Sequence, residues 1–355
     1  MAKIIKFFIY SILIIFFTWV FLALVLASFG IETKRFNPLI IKQVKKYNDD
    51  LNLDIKKVKV YLHIGAGNLT NPKLRISSKN PILIAGNNKI ELKVVETSID
   101  ILSYFKDNFV IEKFEFITKD NKIRDLIKVA ALEKPSLIFY NIFIKQGYAN
   151  ANGYVQFDKS GKINNYKLNG QIKNTDLKYN KNYSFKNINF DFKNQKEGTL
   201  ISNAEFNYKK IKLLSNEIFI PSNSEITTIN GDIRNEKVTI NLKEFKNLFE
   251  NDFSFIKDQE ITFEKKNKFS FKIQKEKIKK LKYSLQIDLD SMNLSPKNNF
   301  FKNYFDNYND SILLANNSIK LEYENKNFNV EGVSNYSFGT LYDKIEYKIK
   351  KKKNA

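Results

Sequence analysis

The hydrophobic pattern of this 355-residue chain passes through three regimes. In the first, residues 7 to 31 run from Phe7-Phe8-Ile9 to Ala27-Ser28-Phe29-Gly30-Ile31 without one charged side chain. A helix of about 20 apolar residues spans the hydrocarbon core of a bilayer, so this run predicts a transmembrane helix. A cleaved signal peptide carries an apolar region of only about 7–15 residues, and Val25-Leu26-Ala27 offers a poor cleavage site. The segment therefore reads as a retained anchor. Lys3, Lys6 and the terminal amine favour a cytoplasmic N-terminus, whereas Lys34, Arg35, Lys42, Lys45 and Lys46 on the other flank pull the opposite way. Long domains translocate with little regard to charge, so charge alone leaves the membrane side open.

In the second regime, Pro38 is followed by Leu39, Ile40, Val44, Tyr47 and Leu51 at helix-like spacing, which predicts a short amphipathic helix over Phe36 to Leu51. Then the period becomes two. Val58, Val60, Leu62 and Ile64 share one face, and the alternation recurs in Phe114/Phe116, Val155/Phe157, Ile188/Phe190/Phe192, Val238/Ile240/Leu242, Leu285/Ile287/Leu289 and Ile319/Leu321/Tyr323. Half-apolar, half-polar strands of this kind belong to antiparallel sheets with one wet face. Turn signals are Asn- and Gly-rich: Asn68, Asn87-Asn88, Asn152-Gly153, Asp158-Lys159-Ser160-Gly161, Asn169-Gly170 and Asn230-Gly231. Three of these start an echo of the form Asn-Gly-x-aliphatic-x-polar, with Glu331-Gly332-Val333 a fainter copy, and it reads as a turn-into-strand device of irregular spacing. Helical interruptions are predicted at Ser98 to Phe105, Lys122 to Leu132 and Phe300 to Tyr308. No Pro/Gly/Ser linker divides the soluble part.

Charge changes this picture little. The formal net charge is +21, but the lysines alternate with apolar residues along the whole chain, as in Phe269-Ser270-Phe271-Lys272-Ile273. That is the pattern of a solvated strand face and not of a nucleic-acid groove, so no nucleic-acid partner is expected. The one cluster, Lys348 and Lys350 to Lys353, reads as a frayed basic tail. With no cysteine, thiolate metal sites, disulfides and a Cys nucleophile are excluded. His63 is the only histidine, so no triad or multi-His site can be built. Gly65-Ala66-Gly67 lacks the third glycine, the lysine and the helix of a phosphate loop and reads as a turn. Asp288 and Asp290 share the polar face of one strand; a carboxylate pair can bind a cation or serve a glycosidase, but two solvated strand residues is the plainer account. Asp49-Asp50 reads as the close of the short helix. The sequons Asn68-Leu69-Thr70 and Asn316-Asn317-Ser318 follow from the abundance of Asn. The expectation is a non-enzyme without cofactor or metal.

The order of these elements resembles the AsmA/TamB-type superfamily. The resemblance rests on the anchor, the short helix, Leu53-Asp54-Ile55-Lys56-Lys57-Val58 leading to Leu69-Thr70-Asn71-Pro72-Lys73-Leu74-Arg75-Ile76, then Ser98-Ile99-Asp100-Ile101-Leu102-Ser103-Tyr104-Phe105 and Phe109-Val110-Ile111-Glu112-Lys113-Phe114-Glu115-Phe116. Asn152-Gly153-Tyr154-Val155 to Lys193, with Phe185-Lys186-Asn187-Ile188-Asn189-Phe190-Asp191-Phe192, is similar to the same family's glycine-started strands. The resemblance implies a protein anchored in the inner membrane of a Gram-negative bacterium, its C-terminal domain in the periplasm as a long, curled antiparallel β-sheet. An apolar groove in that sheet would conduct phospholipid toward the outer membrane in support of envelope assembly.

The expected fold is thus all-β with an N-terminal transmembrane helix and a few short helices. Residues 1–31 form tail and anchor, 32–52 the short helix, 53–347 an open, taco-like groove and 348–355 a basic tail. Val155, Phe157, Ile188, Phe190, Phe192, Leu285, Ile287 and Leu289 are the expected groove residues, and phospholipid acyl chains, the inner membrane through residues 7–31 and other envelope proteins the expected partners. Alternation is equally compatible with a closed β-sandwich that serves as an envelope scaffold and binds no lipid. An anchored carboxylate glycosidase, with Asp288 and Asp290, is the third reading.

Overall fold

Alternating sequence becomes strand almost throughout. In a computed structural model, residues 2–63, 73–100, 111–158, 163–180, 182–222, 226–249, 255–274, 277–295, 311–324, 327–338 and 341–351 are described, and they contain nineteen strands in an open antiparallel arrangement. By packing, the chain divides into two units: Met1–Tyr179 with Phe192–Lys196, and Asn180–Asp191 with Glu197–Ala355.

The first unit begins with α1 (Ala2–Ser28). Its segment Tyr10–Ser28 is long and apolar enough to cross a membrane, with a mean hydropathy of 2.5 and no part of it buried by the protein. The one hydroxyl in its middle, Thr18 Oγ1, donates to the Ile14 carbonyl at 2.7 Å, as a polar group in an apolar helix must. The helix stops at Gly30, whose φ of +64° is left-handed and whose absent Cβ leaves room for the Tyr61 ring and the Val60 carbonyl. β1 (Ile31–Thr33) follows, then α2 (Asn37–Tyr47), which buries Ile40 and half-buries Phe36 and Val44 at a spacing of four. This helix is shorter than the spacing predicts. The Asn48 side chain accepts from the Asp50 N–H at 2.9 Å and turns the chain, so Leu51 starts β2 (Leu51–Asp54).

The strands β3 (Val58–His63), β4 (Lys73–Lys79), β6 (Asn88–Asp100), β7 (Ile111–Thr118), β9 (Ile144–Phe157) and β10 (Ile163–Lys178) form one antiparallel ladder with β1 at its start. The short β5 (Ile82–Ala85) joins β2 to the first residues of β6, and β8 (Asn121–Lys122) pairs with β9. The predicted helix at Lys122 to Leu132 is α3 (Ile123–Ala130), followed by a 3-10 turn (Pro135–Phe139) and the one-turn α4 (Tyr140–Phe143).

Two expectations are corrected here. Ser98, Ile99 and Asp100, read as the start of a helix, are strand: Ile99 lies opposite Leu74 and Ile111 and is completely buried, so the two-residue period continues. The remainder of that segment, the third predicted helix at Phe300 to Tyr308 and Gly65-Ala66-Gly67 lie outside the described residues. Second, Asn152-Gly153, Asn169-Gly170 and Asn230-Gly231 are not turns. They sit mid-strand, and Asn152 pairs with Asn169. The glycines are there because something covers each: the Phe192 ring lies on Gly170, the Phe269 ring on Gly231, the Tyr347 ring on Gly332, and at Gly153 the neighbouring strand's backbone approaches. An aromatic ring laid over a strand glycine restores the packing that its missing side chain forfeits.

The second unit is a meander in which each strand pairs with the next: β12 (Gly198–Tyr208), β13 (Ile211–Pro221), β14 (Ile226–Asn241), β15 (Glu260–Gln274), β16 (Lys277–Leu294), β17 (Ile312–Glu324), β18 (Asn327–Phe338) and β19 (Leu341–Lys351). β11 (Ser184–Gln195) is shared between the units at Asp191/Phe192. α5 (Leu242–Phe249), capped by Asn241 Oδ1 on the Glu244 N–H at 2.8 Å, folds back so that Phe245 meets Phe263 edge-to-face with centroids 5.8 Å apart. Around that pair pack Ile211, Ile240, Ile256, Ile261 and Leu289. At the end of the chain, Lys348 and Lys350 are residues of β19, paired with Glu331 and Asn329, so the ladder runs on past 347.

Candidate functional site: an apolar sheet face

The strand registers sort side chains into rows that cross each sheet. In the first unit one row reads Ile31–Val60–Ile76–Thr97–Phe114–Val155–Tyr166. Neighbouring positions on the other face are charged: Arg75 pairs with Glu96 and, at 3.2 Å, with Glu115, and Lys113 meets Glu115 at 2.7 Å while lying 4.6 Å from the Tyr154 ring centre. In the second unit a row reads Ile233–Asn267–Leu285–Leu321–Val330–Ile349, and one on the opposite face reads Arg234–Lys266–Gln286–Lys320–Glu331–Lys348. The dispersed lysines are explained by this second row. They sit on the wet face, paired across or along strands, as Lys266 with Glu264 at 2.8 Å and Lys320 with Glu322 at 2.8 Å. Exposed pairs of this type are screened by solvent and add little to stability, so their contribution is solubility of one face.

The apolar faces are only partly covered. Over the first unit, α2, α3 and the β2–β5 ladder close the region around Leu53, Val58, Val60, Ile76 and Ile99. Over the second, α5 closes the region around Phe263. Ile287 and Ile319 pack at the edge of that cluster, and elsewhere the face residues stay half-exposed: Phe269, Phe271, Leu285, Leu321 and Tyr323 are all in this state. Inner-face residues of a β-sandwich would interdigitate with a second sheet and be buried. Among the described residues the strands pair edge to edge in an open antiparallel arrangement.

The eight expected groove residues fall as follows. Val155 and Phe157 on β9 and Phe192 on β11, all in the first unit, are half-buried. In the second unit Phe190, Leu285 and Ile287 are half-buried, whereas Ile188 and Leu289 are 8% and 6% exposed. Leu289 is packed in the cluster under α5. Alternation placed Tyr323 on the apolar row; what it did not reveal was Tyr166, Tyr283 and Tyr336 on the same faces, because a tyrosine is assigned to the wet side as readily as to the dry one. A cavity of about 220 Å³ beside α5, lined by Lys209, Lys210, Ile211, Ile240, Glu244 and Asn247, is smaller than the roughly 300–1,000 Å³ of ordinary ligand pockets. The face itself is the larger feature.

Asp288 and Asp290 lie on the wet face with separate partners. Ser318 Oγ donates to Asp288 at 2.7 Å, and Asp290 meets Lys237 at 2.6 Å. His63 ends β3. Among the described residues no three His, Cys, Asp or Glu side chains are grouped as metal ligands. Comparison with models of protein families, with curated proteins and with solved structures finds no match.

Proposed function

We propose that this protein is held in a bacterial inner membrane by α1 and that its apolar β faces bind phospholipid acyl chains on the periplasmic side, passing them toward the outer membrane. The observation that carries the reading is the half-exposed apolar face in each unit, backed by a charged face. A face of that kind in water needs a cover, and an acyl chain supplies about 0.8 kcal/mol for each methylene it buries. The anchor places such a face beside a source of lipid. Transfer from strand to strand asks only for even apolar contact, with no bond made or broken, which agrees with the separate, solvated placement of Asp288 and Asp290. The resemblance to AsmA/TamB-type proteins supports the same reading. A scaffold that docks protein partners on the same face is the alternative.

The experiment is extraction of lipid from the intact protein, purified in an amphipathic polymer free of added lipid, with mass-spectrometric quantitation. Phospholipid is expected at one or more molecules per chain. The double substitution Phe190→Asp, Phe192→Asp is expected to remove most of it while strand content by circular dichroism is retained. A folded wild-type protein that carries no lipid would argue for the scaffold, and lipid retained in a folded double variant would overturn the assignment of Phe190 and Phe192.

A further inference from the structure

One row of the second unit breaks the chemistry of its face. It reads Asn235–Lys265–Ile287–Ile319–Gly332–Tyr347. Lys265 therefore stands on the apolar side, between Phe263 and Asn267 along β15 and opposite Asn235 and Ile287 across it. Carboxylates near it in sequence are on the other side: Glu264 is taken by Lys266, and Asp288 by Ser318. The rows on its own side through Gly231, Ile233, Asn235 and Val238 hold no Asp or Glu. Among the described residues, no carboxylate pairs with Lys265. Burial alone pushes its ammonium below the usual lysine range.

One polar group beside it is also incompletely served. Asn267 hydrogen-bonds the Tyr283 hydroxyl through its amide, while its Oδ1 is buried without a partner. Asn235, only 2% exposed, is served: its side-chain amide donates to the Glu236 carbonyl at 2.9 Å. A cation and an open acceptor on a greasy surface are costly to keep without a counter-group. Charge complementarity names that group.

Resting on the acyl-binding reading above, we infer that Lys265 is a headgroup site: an amphiphile lies with its chain on the apolar face and its oxyanion, carboxylate or phosphate, on the Lys265 ammonium, and a headgroup hydroxyl, where the amphiphile has one, donates to Asn267 Oδ1. The face then selects anionic acyl compounds over neutral ones and holds them at a fixed station.

The test uses the full chain in an amphipathic polymer and three diazirine-bearing probes: palmitic acid, phosphatidylglycerol and hexadecanol. Labelling of β14–β17 peptides is read by mass spectrometry. An anionic probe is expected to label about tenfold more than hexadecanol, the ratio that one charge-assisted contact supports. Lys265→Met is expected to bring the ratio to unity and Lys265→Arg to keep it. Whichever anionic probe labels more identifies carboxylate or phosphate as the source. Lys265→Met removes a buried charge at nearly constant volume, so it is expected to fold and to melt higher at pH 7. With the native ammonium lowered, the unfolded chain binds the extra proton between that lowered value and 10.5, so wild-type stability rises with pH through this window and that of the variant does not. A ratio near unity in the wild type, or one unchanged in Lys265→Met, overturns the headgroup site while leaving acyl binding intact. Loss of anionic labelling to millimolar inorganic phosphate, with hexadecanol labelling untouched, makes it a free-phosphate site and overturns the amphiphile. Failure of all three probes to label sinks the acyl-binding reading itself.

Discussion

Phe263→Ala is expected to cost the second unit about 3–5 kcal/mol, the range for truncating a buried phenylalanine. Phe263 is 2% exposed and is the largest fully buried side chain of the described residues. It lies opposite Val238 on β14 and Leu289 on β16, and its ring receives Phe245 from α5. Alanine removes the ring on which α5 rests, and the strands, held in ladder register on both sides, cannot close the gap. Hydrogen exchange of the intact chain reads this locally: amides of β13–β16 and α5 should lose about a hundredfold or more of their protection. Those of β3–β7, in the other unit, should keep theirs. Equal loss in both would mean that the two units unfold as one.

Gly153→Ala is the second large effect, and its contrast with Gly332→Ala is the informative part. A Cβ at Gly153 would press on the Lys167 carbonyl oxygen, which belongs to the β9–β10 ladder and cannot move without breaking it. Overpacking against backbone typically costs about 1–3 kcal/mol, and here the upper end is expected. At Gly332 the obstacle is the Tyr347 ring on β19, the last strand of the meander, and a ring can swing away. That change should cost less than about 1 kcal/mol. Thermal unfolding of the two variants beside wild type checks the order. The reverse order would show that the mid-strand glycines serve the rings and not the backbone approach.

The fold class was legible because alternation is strong: once Val58-Lys59-Val60 and its successors are read with period two, an antiparallel sheet with one wet face follows, and so does the apolar span before it. Asn and Gly misled. Both are good turn formers, but in this chain Asn174, Asn187, Asn203 and Asn316 take left-handed φ values of 47–52° inside strands. Gly153, Gly170, Gly231 and Gly332 likewise sit mid-strand. Local propensity cannot distinguish a turn from an irregularity inside a wide strand, because the deciding partner, such as Phe269 on Gly231, lies 38 residues away in sequence. Ser98–Asp100 failed for a related reason: a three-residue stretch fits either period, and the choice is made by Leu74 and Ile111 opposite Ile99.

The face was legible from sequence as a set of positions, and its state was not. Alternation places Leu285 and Ile287 on one side, yet whether that side meets a second sheet depends on elements far along the chain. Lys265 was passed over for the same reason. In a sequence so rich in lysine, one on the dry row stands out only when the registers with Asn235 and Ile287 fix its side.

The central claim is that the apolar face, and not the charged one, carries acyl chains. A photo-crosslinking amino acid placed singly at Leu285, Ile287 or Gln286 of the intact protein in its native membrane compares adjacent residues on opposite faces of β16. Phospholipid adducts at 285 and 287 with none at 286 are the predicted result. Adducts at all three alike, or only protein partners at 285 and 287, would contradict it.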